Sequence, residues 1–199
     1  MQFPHVALDR RRAGPLNREM RYVALLRGIN VGGNNIIKMV DLRRAFEEAG
    51  YGDVTTYIQS GNVVFSAPTK TTKAKLTSAI EAMLDEAFGY ASRVVILSAK
   101  EMARVIDEAP PRFGADPTKY RYDAVFVKEP LTPREVLAQI PTNPEVDVVS
   151  AGSHAVYFRR LIAKATQSKT AKVVVQAVYK SITVRNWNTT RKLAEMTAS

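Results

Sequence analysis

Residues Arg21–Ser66, RYVALLRGINVGGNNIIKMVDLRRAFEEAGYGDVTTYIQSGNVVFS, restrict the fold more than any other part of this chain. The apolar run Tyr22–Leu26 reads as a buried strand and leads into a glycine- and asparagine-rich loop, Gly28–Asn35. Val40, Leu42, Phe46 and Ala49 lie broadly on one side of a predicted helix, Met39–Ala49, which Gly50 stops. Val54–Ile58 and Val63–Phe65 read as strands joined by a tight Ser60-Gly61 turn. A helix over Thr72–Phe88 and a strand over Arg93–Leu97 complete the order βαββαβ, the split βαβ or ferredoxin-like arrangement. Ser98, with Glu101 three residues on, forms a capping box that opens a further helix, Ala99–Glu108.

Pro110-Pro111 and Gly114–Pro117 break the periodicity and read as a linker. The plan then recurs without the sequence recurring. Strands are predicted at Arg121–Val127, Val146–Val149, Ala155–Arg159 and Ile182–Val184. Helices are predicted at Pro133–Gln139, opened by Thr132 and Pro133, at Thr170–Tyr179 and at Asn188–Met196. The expected fold class is α+β: two ferredoxin-like halves, each with an antiparallel sheet and an extra helix. Residues 1–20 read as an N-terminal extension, expected to be disordered, with Met20 as the expected natural start. Residues 21–109 form the half with the glycine/asparagine loops, 110–120 the linker, and 121–199 the second half with its basic C-terminal region.

The strand–GINVGG–helix run, the YIQSGNVVF run and RNWNTTRKLA (Arg185–Ala194) together resemble the domain-of-unknown-function family 1697, small and mostly bacterial proteins. The resemblance covers nearly all of the chain after about residue 20. It implies the fold and selects no activity.

Composition removes several chemistries. The chain has no cysteine, so disulfides, thiolate metal sites and a cysteine nucleophile are excluded together. His5 and His154 are its only histidines, which leaves little from which to build a histidine zinc site or a Ser–His–Asp relay. No apolar run reaches the roughly 18 residues of a transmembrane helix, and the start lacks the apolar centre of a signal peptide. The expectation is a cytoplasmic protein with no membrane partner and no cofactor. The net charge is +10, and His154–Ser199 holds nine basic residues against Glu195 alone. A region so biased attracts polyanions, or serves as a solvated surface that aids solubility.

The ferredoxin-like order has a geometric consequence. In a 4-1-3-2 antiparallel sheet, the loop after strand 1 and the strand 2–strand 3 turn lie at the same edge. Arg27, Gly28, Asn30, Gly32, Gly33, Asn34, Asn35 and Lys38 should therefore meet Gln59, Ser60, Gly61 and Asn62. Such a surface, at the start of the Met39–Ala49 helix, would cradle an anion. In the simpler alternative the glycines only shape the loop, and the two loops bind each other or the second half. The loop matches neither G-x-x-x-x-G-K-[ST] nor G-x-G-x-x-G. A second candidate, for polyanion contact, comprises Arg159, Arg160, Arg185, Asn186, Trp187, Asn188, Arg191 and Lys192. Asn186 or Asn188 would cap the last helix, and Trp187 would stack on a base or anchor the two halves. Tyr122, Phe126 and Tyr157 share a strand face that would either meet RNA or pack against the other half.

No catalytic residue and no metal ligand emerges, because Asp41, Asp53 and Ser60 lack partners at a useful spacing. The leading expectation is a binding module for nucleic acid or a nucleotide-like anion. Two alternatives stand beside it: an enzyme acting on a small phosphorylated or carboxylated metabolite in the Gly28–Asn35/Gln59–Asn62 cleft, and a protein-interaction scaffold. Oligomeric state is not encoded in any feature read above.

Overall fold

Strand β1 (Glu19–Leu26) is apolar on both faces and lies at the centre of the first sheet. The computed structural model describes residues 19–30, 35–170, 172 and 177–198. β1 pairs antiparallel with β3 (Asn62–Pro68) and with β4 (Val94–Ser98), while β2 (Gly52–Tyr57) flanks β3. The order β2-β3-β1-β4 is the expected one. α1 (Met39–Glu48) and α2 (Lys73–Phe88) cover one face, where Leu42, Phe46, Leu76, Ile80 and Leu84 meet Tyr22, Leu26, Phe65 and Ile96. Thr72 caps α2, its side chain accepting from the Lys75 amide at 3.3 Å, and left-handed Gly89 ends it.

The second sheet repeats this order as β6-β7-β5-β8. Its strands are β5 (Tyr120–Val127), β6 (Asp147–Ala151), β7 (Ala155–Leu161) and β8 (Ile182–Asn186). Among the described residues, a short α4 (Pro133–Leu137) and the 3-10 turn Ala177–Ser181 cover its outer core, which includes Val125, Val136, Phe158, Val178 and Ile182. The expected α-helix over Thr170–Tyr179 is corrected: Thr170, Lys172 and Ala177–Ser181 are 3-10, and residues 171 and 173–176 lie outside the described ones. The β-branched run Val173–Val175 disfavours an α-helix there. Strand β1 also begins at Glu19, inside the segment assigned to the extension.

The extra helices explain why both sheets are apolar on both faces. α3 (Ala99–Asp107) and α5 (Trp187–Ala198) lie between the sheets. Met102 and Val105 of α3 and Leu193 of α5 fill a shared core with Val23, Leu25 and Leu97 of the first sheet and Ala124 and Phe126 of the second. Tyr122, Phe126 and Tyr157, the face weighed for RNA, are thus buried against the other half. The Tyr157 hydroxyl donates to the Val105 carbonyl at 2.8 Å, and burial raises its pKa above the usual tyrosine value. The α3 capping box is present as expected.

The predicted linker contributes to this middle layer. Phe113 meets Trp187 edge-on at 4.9 Å between ring centroids and Tyr122 at 5.0 Å. Gly114, at φ +86°, passes so close to the indole that a Cβ would lie 2.4 Å from Trp187 Cδ1. Gly114→Ala therefore combines left-handed strain with overpacking, and a loss of about 2 kcal/mol is expected in denaturant unfolding. An unchanged midpoint would show that the loop relaxes freely.

Lys73 of α2 reaches across to α3, its ammonium 2.6 Å from Glu101 Oε1 and 2.6 Å from Glu129 Oε1. Burial pushes the Glu101 carboxyl up, but hydrogen bonds from Lys73 and Ser98 outweigh it and hold the pKa below 4.5. A carboxylate with a depressed folded pKa stabilises the protein above its unfolded pKa and loses that contribution as pH falls through the folded one. Thermal midpoints should thus fall on acidification below about pH 4.5. The fall should be shallower in Glu101→Gln than in the parent protein.

Candidate functional site

The two glycine/asparagine segments do meet at one edge of the first sheet. The Leu26 amide donates to the Gly61 carbonyl at 2.8 Å, and the Arg27 amide to Arg93 at 3.1 Å. The Tyr90 hydroxyl donates to the Arg27 carbonyl. Asn30, at φ +53°, is the organiser. Its amide group donates to the Ile37 and Gln59 carbonyls at 3.0 and 2.9 Å, and its Oδ1 accepts from the Ile37 amide at 2.8 Å. Asn35 donates to the Gly28 carbonyl at 3.0 Å. Gly32, Gly33 and Asn34 lie outside the described residues. Gly61 has φ +74°, and a Cβ there would fall 2.8 Å from Ile29 and Leu26 side-chain atoms, so the turn presses directly onto the loop.

Arg185 explains where these loops point. It is 7% exposed, and its guanidinium reaches from β8 into the first half. Nε donates to Asn62 Oδ1 at 2.5 Å. Nη2 donates to the carbonyls of Leu26, Ser60 and Gly61 at 2.8, 2.9 and 3.2 Å. Nη1 donates to Thr183 Oγ1 and the Val184 carbonyl at 2.8 and 2.9 Å. Burial lowers its pKa to about 10, so the group stays charged at neutral pH. The assignment of Arg185 to a polyanion surface is corrected: every nitrogen of its fork is engaged inside the protein. Asn62 is corrected likewise. It is fully buried, and its amide is used by Tyr57, Ser60 and Arg185 rather than offered to a ligand.

The remaining basic candidates divide by exposure. Arg159 is half-buried, its guanidinium 4.9 Å from the centroid of the Tyr120 ring. Arg160 is half-buried and stands opposite Arg121 on β5 and Asp147 on β6. Asn186 caps α5, its Oδ1 accepting from the Thr189 amide at 2.8 Å. Trp187 is 7% exposed and serves mainly as the anchor between halves. Asn188, Arg191 and Lys192 are exposed, and Lys192 pairs with Glu195 at 3.4 Å. Of the loop cations, Lys38 is exposed, and Arg27 stacks over Tyr179 at 4.4 Å.

A cleft of about 600 Å³ opens at the end of the second sheet. Tyr120, Arg121 and Arg160 line one part of it, and Asn186, Trp187 and Asn188 another. Arg121 bonds Asp123 Oδ2 at 3.0 Å, while Asp123 Oδ1 and the Nε atoms of Arg159 and Arg160 are buried without hydrogen-bond partners among the described residues. Burial raises the Asp123 carboxyl above its usual range despite Arg121. Tyr120 and Arg121 were missed in the sequence because aromatic–basic alternation on a strand reads as ordinary sheet. Among the described residues no group of three or more His, Cys, Asp and Glu side chains is arranged for a metal, and no helix is long and apolar enough to cross a membrane.

These features define an α+β protein of two ferredoxin-like sheets locked by a buried arginine. The chain belongs to the family described as protein of unknown function DUF1697, whose model matches residues 20–157. It is similar to a solved structure, that of the conserved bacterial protein SP0830 from Streptococcus pneumoniae. The two are 27% identical with a TM-score of 0.78, over 90% of this chain and 99% of that one. No curated protein matches the sequence.

Arg185→Met should cost about 3 kcal/mol, because it strands Asn62 and a cluster of buried carbonyls. Arg185→Lys should recover little of this, since an ammonium cannot span the same acceptors. Full recovery by lysine in urea denaturation would show that charge, and not the planar fork, is what the loops require.

Proposed function

We propose that this protein is a binding module for a nucleotide-like anion, with single-stranded nucleic acid as the polymeric form of the same ligand. The observation that carries the reading is the cleft at the end of the second sheet, where an aromatic surface, two guanidinium groups and two side-chain amides converge. A base would join the stack that the Arg159 guanidinium already makes on Tyr120, near Trp187. The amides of Asn186 and Asn188 would bond its edge, and Arg121 or Arg160 would meet phosphate. Around the cleft, Lys164, Lys169, Lys172 and Arg191 are exposed and supply a positive field. The reading takes the second half, from Tyr120 at the start of β5, as the binding unit and the first half as its support, with the predicted linker packed against Trp187 beside the cleft. The Gly28–Asn35 loop is not used, because the described asparagines there bond their own backbone.

Trp187 is the only tryptophan, so its fluorescence reports on the cleft without a label. Mononucleotides should alter it, and a labelled oligonucleotide should bind with a Kd of about 10⁻⁴–10⁻⁶ M, falling off steeply with salt. Tyr120→Ala should weaken both ligands. Arg191→Ala, outside the cleft lining, should weaken the oligonucleotide alone and flatten its salt slope. No fluorescence change and no oligonucleotide binding at low salt would remove this reading.

A further inference from the structure

A second cavity, of about 370 Å³, lies between the halves on the side away from that cleft's lining residues. Four consecutive residues of β4, Val94–Leu97, line it. Side chains alternate across a strand, so four in a row can border one space only through the main-chain edge. The pairing phase agrees. The Arg27 amide bonds the Arg93 carbonyl, so the ladder to β1 uses Arg93, Val95 and Leu97, and the groups of Val94, Ile96 and Ser98 turn outward. Two of those three outward amides have partners: Val94 donates to Glu81 Oε1 and Ser98 to Glu101 Oε2, both at 2.8 Å. Between them, the Ile96 N–H and C=O have no partner among the described residues.

The opposite wall runs from the end of β5 at Val127 through the turn at Glu129-Pro130 to the first residue of α4, with Pro130, Leu131 and Pro133 giving it an apolar surface. Each end of the groove is closed by an ion pair across the halves: Lys73 with Glu129 at one, Glu81 with Lys128 at the other. Lys73 is shared by Glu129 and Glu101, and Lys128 pairs with Glu81, so neither lysine of the groove is left unpaired to select an anion. What is left unsatisfied is one amide and one carbonyl at strand spacing, which is the hydrogen-bonding pattern of another peptide backbone.

We propose that this groove binds a short extended peptide, uncharged or zwitterionic, which adds to the outer edge of β4 through a narrow pair of hydrogen bonds with Ile96. The side chains on either side of the paired residue would pack on Leu131 and Pro133. The site is independent of the nucleotide-like reading, since it shares no residue with the second-sheet cleft.

The test is an amide NMR titration of the full chain with a randomised mixture of N-acetylated, C-amidated pentapeptides. The Ile96 amide should shift and gain protection from hydrogen exchange. The same mixture N-methylated at its central residue should give a response about tenfold weaker, as expected when a buried hydrogen bond is lost. Ala74→Trp, on the exposed surface of α2 where it lines the groove, should abolish the response while leaving the rest of the spectrum in place. No change at Ile96 at millimolar peptide, an undiminished response to the N-methylated mixture, or an undiminished response in Ala74→Trp would each overturn the proposal.

Discussion

A single buried guanidinium sets the relation between the two halves. Arg185 stands on an edge strand of one sheet and places its charge at the loop edge of the other. Burying an ion is costly unless its donors are satisfied, and here each nitrogen of the fork meets an oxygen. The glycine- and asparagine-rich segments make this possible. Gly61 and Asn30 hold left-handed conformations that turn main-chain carbonyls inward, and the Asn30 amide fixes the loop against the turn. The loops that looked like a cradle for an anion thus form a receptor for a cation belonging to the same chain.

The second half carries a complementary device of opposite sign. Glu108, at the end of α3, accepts from the Ser153 amide at 2.6 Å and its hydroxyl at 2.7 Å in the β6–β7 turn. Those bonds hold the Glu108 carboxyl below its usual pKa. Gly152 lies beside it: a Cβ there would come 2.8 Å from the carboxylate and 3.0 Å from the Tyr157 ring, so a side chain would push the carboxylate aside. Each hairpin turn is therefore gripped by a charged side chain from the other half. Between the two grips, α3 and α5 share one apolar layer with both sheets. The exposed Glu108 contact contributes far less than the buried Arg185 one, because water competes for it.

Two of the concave features left by locking the halves lie at different places. One is aromatic and basic, at the end of the second sheet; the other is a strand edge with a free amide between two ion pairs. Neither uses the glycine loops. Cations counted along the last part of the chain do not act as one patch: Arg185 is internal, Arg159 stacks on Tyr120, and Lys192 is matched by Glu195. Net charge describes a long-range field, and the local partners decide which charges a ligand meets.

Local pattern was enough to read most of the element order, the Ser98–Glu101 capping box, the position of most strands and the meeting of the two loops. Those depend on periodicity, on backbone conformation and on the connectivity of a βαββαβ unit, all of which are written in neighbouring residues. The sequence offered Asn186 or Asn188 as the cap and base stacking or anchoring for Trp187; the structure makes Asn186 the cap and packs Trp187 between the halves. β8 reads the other way. In I-T-V-R-N the apolar Val184 would be expected inside and Arg185 outside, yet Val184 is 45% exposed and Arg185 is buried. Alternation says that the two must face opposite ways, but not which way. That choice is made by acceptors on Leu26, Ser60, Gly61 and Asn62, more than a hundred residues distant, whose convergence exists only after both sheets have formed and docked.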